Sequence, residues 1–387
     1  MVFEGIDIAA VRSELASLGL DGWLLYDFHG CNPVAKRVIG FQGFVSRRLF
    51  VLIPREGRPI ALVHQIEQHP VAGFPGEVLI YRTWQDLHEK LAILVKDRRL
   101  AMEISEQDAV PYLDRIPYGV FQLVTQLGGT PAGSADLVTA FASVWSSQEL
   151  ADHQEAAELI ASIARLRLSE AVIEVGTVTE VQLQQRVIDD IGSAGLVITD
   201  APIVAFGANS ANPHYEPGGG GERVLRTDEV VLLDLWAGRE GSVFADQTWM
   251  GFSGREVPSH VAEVWEAVSG ARDAVLQGVR GVDYKTLMGK DLDEIARGYL
   301  RDRGLDEFFV HRTGHSIDIE LHGSGPHLDG FETQDTRRLR QGIGFSVEPG
   351  VYLAGDFGVR SEVNVYLGEG GPVVTPARLQ CEIVVPK

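Results

Sequence analysis

The chain has 387 residues, enough for two domains at about 100–200 residues each. Its 45% apolar and 23% charged content is that of an ordinary globular protein. A formal net charge of −20 argues against nucleic acid or an anionic membrane surface as a partner, because phosphate contacts need clustered Lys and Arg.

The opening MVFEGIDIAAVRSEL has no basic stretch leading into an apolar run, so no signal peptide is expected. AAVRSELASLGL reads as a helix ending near Gly19 or Asp21, and GWLLYD (22–27) as a strand. RLFVLIP (48–54) and IALVHQ (60–65) flank a polar REGR stretch and read as a hairpin or as adjacent strands. AILVKDRRLAMEIS offers a helix and then a strand. Few polar residues of chemical interest converge in this half, which reads as a scaffolding or oligomerisation domain.

A boundary is expected near Ser146–Ser147, giving domains 1–146 and 147–387. A long helical run from Ser147 should stop at Gly176. Thr177 with Glu180 matches a capping box for a second helix, which should end by Gly195. Further helices are expected at 258–278, opened by Pro258, and at 283–303, opened by Asp283. Strand signals are EVVLLDLWAG, SVFADQTWMGF, GIGFSVEPGVYL, GVRSEVNVYL and LQCEIVV. The interleaving gives an α+β domain, and the glycines at 218–221 read as one flexible loop. The two cysteines, Cys31 and Cys381, fit no paired pattern, so no disulfide is expected. No run of 18 apolar residues occurs, and a soluble cytoplasmic protein is the default.

Carboxylates inside apolar strands require an explanation, because a buried charge is costly unless it is paired or bound to metal. Asp234 follows four apolar residues, Asp246 lies in SVFADQTWMGF, Glu348 follows Gly344–Val347, and Glu362 lies in VRSEVNVYL. Strand alternation puts Arg360, Glu362 and Asn364 on one face, with Val359, Val363 and Val365 on the other. These acids with His315 could hold a pair of divalent ions. Two such ions about 3.5–4 Å apart can share a hydroxide and polarise a carbonyl. An oxygen-rich set with one imidazole suits manganese, with cobalt or zinc as alternatives.

The ordered segments VLLDLWAG, ADQTWMG, HRTGHSIDIELHG, FSVEPGVYL and GVRSEVNVYL resemble the pita-bread metallopeptidases, specifically the proline-specific branch of Xaa-Pro dipeptidases (prolidases) and Xaa-Pro aminopeptidases. The resemblance covers about 149–387. The first half looks, more weakly, like the α/β creatinase-type N-terminal domain that accompanies this branch. The resemblance implies that Asp234 chelates one metal, Asp246 and Glu362 bridge, and His315 and Glu348 bind the second. It implies substrate-side roles for His214 in NPHYEP, and for His311 and His322 on either side of His315. Arg360 could orient Glu362 or contact substrate. Proline-containing dipeptides or short peptides are the implied substrates, and a homodimer the implied assembly.

The chain also departs from the pattern. Many relatives have His-Glu where this chain has His322-Gly323, and an arginine that is absent from Asp246-Gln247-Thr248-Trp249. The Asp234–Asp246 spacing is one residue longer than is common. The arginine that clamps the dipeptide carboxylate in prolidases aligns with Gln334, with Arg337 and Arg338 out of register. The short Glu348–Glu362 interval favours a dipeptidase and the missing clamp an aminopeptidase. A metal-free creatinase-like hydrolase and a non-catalytic peptide-binding module are the rival readings, and retention of all five acid and imidazole ligands argues against both.

Overall fold

The computed structural model describes Phe3, 6–41, Gly43, 45–218 and 223–387. Apart from Gly218, the expected glycine loop lies outside the described residues. The chain forms two compact units, Met1–Ala142 and Ser143–Lys387.

The first unit contains helix α1 (Ile8–Ser17), strand β1 (Gly22–Asp27), helix α2 (Pro33–Ile39), β2 (Leu49–Pro54), β3 (Ile60–His64) and β4 (Glu77–Tyr81). After these come α3 (Trp84–Val95), β5 (Arg99–Met102), α4 (Tyr118–Gln126), β6 (Thr130–Gly133) and the short α5 (Ala135–Leu137). Among the described residues the strands form a six-stranded mixed sheet in the order β4-β3-β2-β1-β5-β6. The expected hairpin is present as the antiparallel pair β2–β3. Both faces of β1 are buried, and alternation divides its residues between two cores. Trp23 and Leu25 join Val11 and Leu15 of α1. Leu24 and Tyr26 join Leu87, Leu91 and Leu94 of α3.

One buried carboxylate of this unit was not singled out from the sequence. Glu103 accepts hydrogen bonds from Trp23 Nε1 at 2.7 Å, Asn32 Nδ2 at 2.7 Å and Ser134 Oγ at 3.1 Å. Burial raises its pKa, and the three hydrogen bonds act against that. Its contribution to stability is therefore complete below the ordinary carboxylate pKa and is lost as the pH rises through the raised value. Glu103→Ala leaves three buried donors unmatched and is expected to destabilise the unit by about 3 kcal/mol. Urea unfolding at mildly acidic and neutral pH tests this: the variant should lose stability and also lose that pH slope.

The second unit begins with α6 (Ser147–Ala171) and α7 (Glu180–Ser193), then β7 (Ile203–Phe206), β8 (Val230–Gly238) and β9 (Phe244–Phe252). Helices α8 (Ser259–Gly278) and α9 (Gly289–Arg301) follow, then β10 (Ser316–Ile317), β11 (Gly344–Val347), β12 (Gly350–Leu353), β13 (Phe357–Arg360), β14 (Val363–Gly368) and β15 (Gly371–Thr375). The strands form sheets β7-β8-β9, β10-β11-β14-β15 and β12-β13. This is the mixed α/β pita-bread architecture. Trp145 belongs to this unit: its Nε1 donates to the Ile317 carbonyl at 2.9 Å.

Several elements differ from the sequence reading. The long helix ends at Ala171, ahead of Gly176. The capping box of α7 is Thr179 with Gln182, two residues later than expected, which leaves Glu180 free for a different task. Asp283 caps only a single 3₁₀ turn, and α9 starts at Gly289, because Met288 is first drawn into a bridge with Arg338. LQCEIVV forms no strand; Val384 makes an isolated bridge to Gly251. Both glutamate-bearing strands are interrupted. Glu348 lies between β11 and β12, and Glu362 between β13 and β14, where each chain segment passes from one sheet to another. Among the described residues no helix is long and apolar enough to cross a membrane.

Candidate metal centre

The site grows from the pairing of β8 with β9, in which Asp234 faces Thr248 and Trp236 faces Asp246. Val231, Leu233, Leu235 and Ala237 turn to the opposite face and pack against α6 and α7. On the site face, Leu232 and Met250 join one apolar core, and Trp236 and Phe244 join another. Asp234, Asp246 and Thr248 sit between these two cores, 5%, 5% and 2% exposed. The acids are thus walled by hydrocarbon on a rigid ribbon.

Thr248 Oγ1 lies 2.9 Å from Asp234 Oδ1 and 2.8 Å from Glu362 Oε2, and accepts from Arg360 Nε at 2.7 Å. Arg360 Nη2 also pairs with Asp234 Oδ2. Asn364 holds the Asp246 backbone from both sides, accepting from its N–H at 3.0 Å and donating to its carbonyl at 2.7 Å. Arg360, Glu362 and Asn364 therefore do turn toward one another, although the strand is broken between the first and the last.

His315 arrives on the loop after Arg312–Gly314. A side chain at position 314 would begin 2.0 Å from the Ser346 carbonyl oxygen, so glycine is what permits the close approach to β11. The His315 N–H then donates to Ser346 Oγ at 2.9 Å. His315 Nδ1 donates to the Ser316 carbonyl at 3.1 Å, which leaves the Nε2 lone pair available. Nε2 lies 3.3 Å from Asp246 Oδ2 and 3.6 Å from Glu348 Oε1. Ligand atoms of Asp246, His315 and Glu362 lie within 4.8 Å of one another. The structure thus brings all five sequence-predicted ligands together.

The electrostatics are those of a site missing positive charge. Burial, then the neighbouring acids, raises the pKa of Asp246 and of Glu362 well above the carboxylate range, and Arg360 only partly opposes this. Burial also raises Glu348 and lowers His315. Buried Asp246 Oδ1 and Glu362 Oε1 have no hydrogen-bond partner. Buried carboxylate oxygens are rarely left so. A divalent cation fits these residues: it would supply a partner for both oxygens and positive charge for the acids.

Glu348 is the most open of the acids, its side chain 14% exposed against 7% for Asp246 and 8% for Asp234. His322 is exposed and sets its ring edge-on to His315, with centroids 4.3 Å apart. His311 is held differently. Its Nδ1 donates to the Arg312 carbonyl at 2.7 Å, and its Nε2 accepts from the Tyr352 hydroxyl at 2.8 Å. Tyr352 also accepts from Arg360 Nη1 at 3.3 Å. Burial, then Arg360, pushes His311 down to about 3. His214 is exposed on the turn after β7, whose Pro213 carbonyl receives Arg360 Nη1 at 3.5 Å.

Thr248, Ser346 and Tyr352 were missed from the sequence. The first two carry a usable signal, since each stands two residues from an acid: Thr248 shares the face of Asp246 on β9, and Ser346, near the end of β11, donates to Glu348 just beyond it at 3.1 Å. The departures also find their places. Gln334 Nε2 donates to Gly330 on its own loop at 2.8 Å, and buried Arg337 is locked onto Asp335 at 2.6 Å. Asp318 occupies the space beside Gly323, where a side chain would begin 2.6 Å from its carboxylate. It accepts from the Ser324 N–H at 3.0 Å and so fixes the loop that carries His322.

The fold and this centre define a metallopeptidase of the pita-bread type. Residues 152–369 match metallopeptidase family M24, and the chain belongs to that family. It is 25% identical over 374 residues to the probable dipeptidase PepE of Mycobacterium tuberculosis, covering 95% of this chain and 92% of that protein. Among solved structures it resembles dipeptidase PepE from Mycobacterium ulcerans, with a TM-score of 0.79, 24% identity and coverage of 98% and 96%. It also resembles an Xaa-Pro dipeptidase from Bacillus anthracis, with a TM-score of 0.71, 24% identity and coverage of 98% of each chain.

Proposed function

We propose that the protein is a metal-dependent Xaa-Pro dipeptidase. It would hold two divalent ions, manganese in preference to cobalt or zinc, on Asp234, Asp246, His315, Glu348 and Glu362. The reading rests above all on the cluster of Asp246, His315 and Glu362, with Glu348 beside His315 and Asp234 joined to Glu362 through Thr248, and with two buried carboxylate oxygens lacking partners. The dipeptidase name of the mycobacterial relative supports it. When bound, the ions supply an activated water and polarise the carbonyl before proline.

The protein's own groups do the rest. Glu348, the most open acid, takes up a proton at its carboxylate and delivers it to the departing proline nitrogen. His322 or His214 donates a hydrogen bond to the carbonyl oxygen as it gathers charge. His311 acts through Tyr352, holding its hydroxyl against Arg360. Arg360 positions Asp234 and, through Thr248, Glu362. A homodimer acting in the cytoplasm, with residues 1–146 as the contact or gate, completes the proposal.

A second reading, an Xaa-Pro aminopeptidase acting on longer peptides, draws on one observation. The stretch expected to clamp a dipeptide carboxylate offers Gln334, turned onto its own loop, Arg337, locked on Asp335, and Arg338, which donates to the Lys285 carbonyl at 2.8 Å. The deciding experiment compares kcat/KM for Xaa-Pro dipeptides with that for longer peptides bearing proline second. The dipeptides are expected to be favoured by at least about tenfold, a difference of roughly 1.4 kcal/mol in transition-state binding. The reverse order assigns the aminopeptidase activity instead.

A further inference from the structure

Glu180 is fully buried at the first turn of α7 and takes no part in the helix cap. Its carboxylate instead gathers donors from the end of β7 and the segment that follows it. Oε1 accepts from the Phe206 N–H at 2.7 Å and from Asn209 Nδ2 at 2.9 Å. Oε2 accepts from the Tyr215 hydroxyl at 2.6 Å and from the Arg223 N–H at 3.0 Å. One carboxylate thus ties together four points of a segment that, among the described residues, has only short regular structure of its own.

That segment carries His214 and reaches the metal centre. Ser210 Oγ accepts from the Gly358 N–H on β13 at 2.8 Å. A side chain at Gly358 would begin 2.0 Å from the Ser210 carbonyl oxygen, so the two backbones are in direct contact. Two residues further along β13, Arg360 donates to the Pro213 carbonyl at 3.5 Å and pairs with Asp234. The 206–215 segment is therefore seated against the strand that leads into Glu362. On its far side it is held by Glu180.

We propose that Glu180 is a positioning residue for substrate: by fastening Phe206, Asn209, Tyr215 and Arg223 it fixes the turn that presents His214 beside the metal centre. Buried charge at this point serves specificity of geometry, since each of the four donors would otherwise lack this acceptor. Displacement of a substrate-contacting group by about 1 Å can cost about 100-fold in rate. The inference rests on the reading that His214 touches substrate.

The test is a double-mutant cycle on the full chain, using Glu180→Ala, His214→Ala and the pair, with metal content and thermal midpoint measured on each. Glu180→Ala is expected to lower kcat/KM for an Xaa-Pro substrate by about tenfold or more, mainly through a raised KM, with metal content unchanged. The double variant should be no worse than the poorer single variant, because both changes remove the same contact. Losses that multiply, or Glu180→Ala at wild-type kcat/KM beside an impaired His214→Ala, overturn the proposal. His214→Ala at full activity removes the underlying reading of His214 and the proposal with it. If Glu180→Ala does not fold, Tyr215→Phe takes its place: it deletes one of the four donors, should raise KM, and should show the same non-additivity with His214→Ala. A wild-type KM for Tyr215→Phe overturns the proposal as well.

Discussion

Glu348→Gln is expected to reduce turnover by about 10²- to 10⁴-fold while the protein stays folded and retains its metal. The change preserves volume, and Ser346 Oγ, 3.1 Å from Glu348 Oε1, can still donate to the remaining oxygen. What it removes is the group that can take and release a proton. Glu348 suits that task because its side chain is the least enclosed of the acids, so it can face both the centre and a bound peptide. Asp234, by contrast, is engaged by Arg360 and Thr248, and Asp246 has its backbone held by Asn364. The decisive measurement pairs kcat with metal stoichiometry on the same sample. Turnover close to wild type with metal still bound removes Glu348 from the proton path.

Removal of metal by exhaustive dialysis against a chelator is expected to abolish activity and lower the thermal midpoint, and added divalent cation should restore both. In the metal-free site Asp246, Glu348 and Glu362 share one buried space, opposed by Arg360 and, at Glu348, by Arg312 as well. Binding to the folded state alone stabilises by about 4 kcal/mol when free metal is a thousandfold above Kd. For a unit of this size that corresponds to a rise of roughly 10 °C, at about 2–4 °C for each kcal/mol. Full activity after thorough metal removal would favour a metal-free hydrolase on the same fold. A protein that binds no metal and hydrolyses no peptide would favour a binding module.

Much of this was legible in the sequence because burial leaves a local record. An acid after Val230–Leu233, or one amid the apolar residues of 243–252, is costly enough to demand a partner, and that demand is visible without coordinates. Period-two alternation likewise put Arg360, Glu362 and Asn364 on one side of the chain. The helix-end signals were less reliable. Thr177 with Glu180 satisfies the capping pattern as well as Thr179 with Gln182 does, and only the packing of Glu180 against Phe206, Asn209 and Tyr215 decides between them. Asp283 fails as a helix start for a similar reason, since a pairing with Arg338 holds Met288 extended.

The sequence by itself determined which acids are too polar for their surroundings, and the family resemblance implied that they form one ligand set with His315. Tertiary structure alone decided how they are held. Thr248 links Asp234 to Glu362, two proposed ligands 128 positions apart in the chain. His315 reaches the centre because Gly314 lets its loop lie against Ser346. Glu348 and Glu362 stand where strands leave one sheet for another, and the continuous hydrophobic patterns around them conceal those breaks. The reason is physical. The cost of burying a charge depends on its immediate neighbours in the chain, whereas the hydrogen bonds that offset it come from residues far away, and their distances are fixed only when the chain has folded.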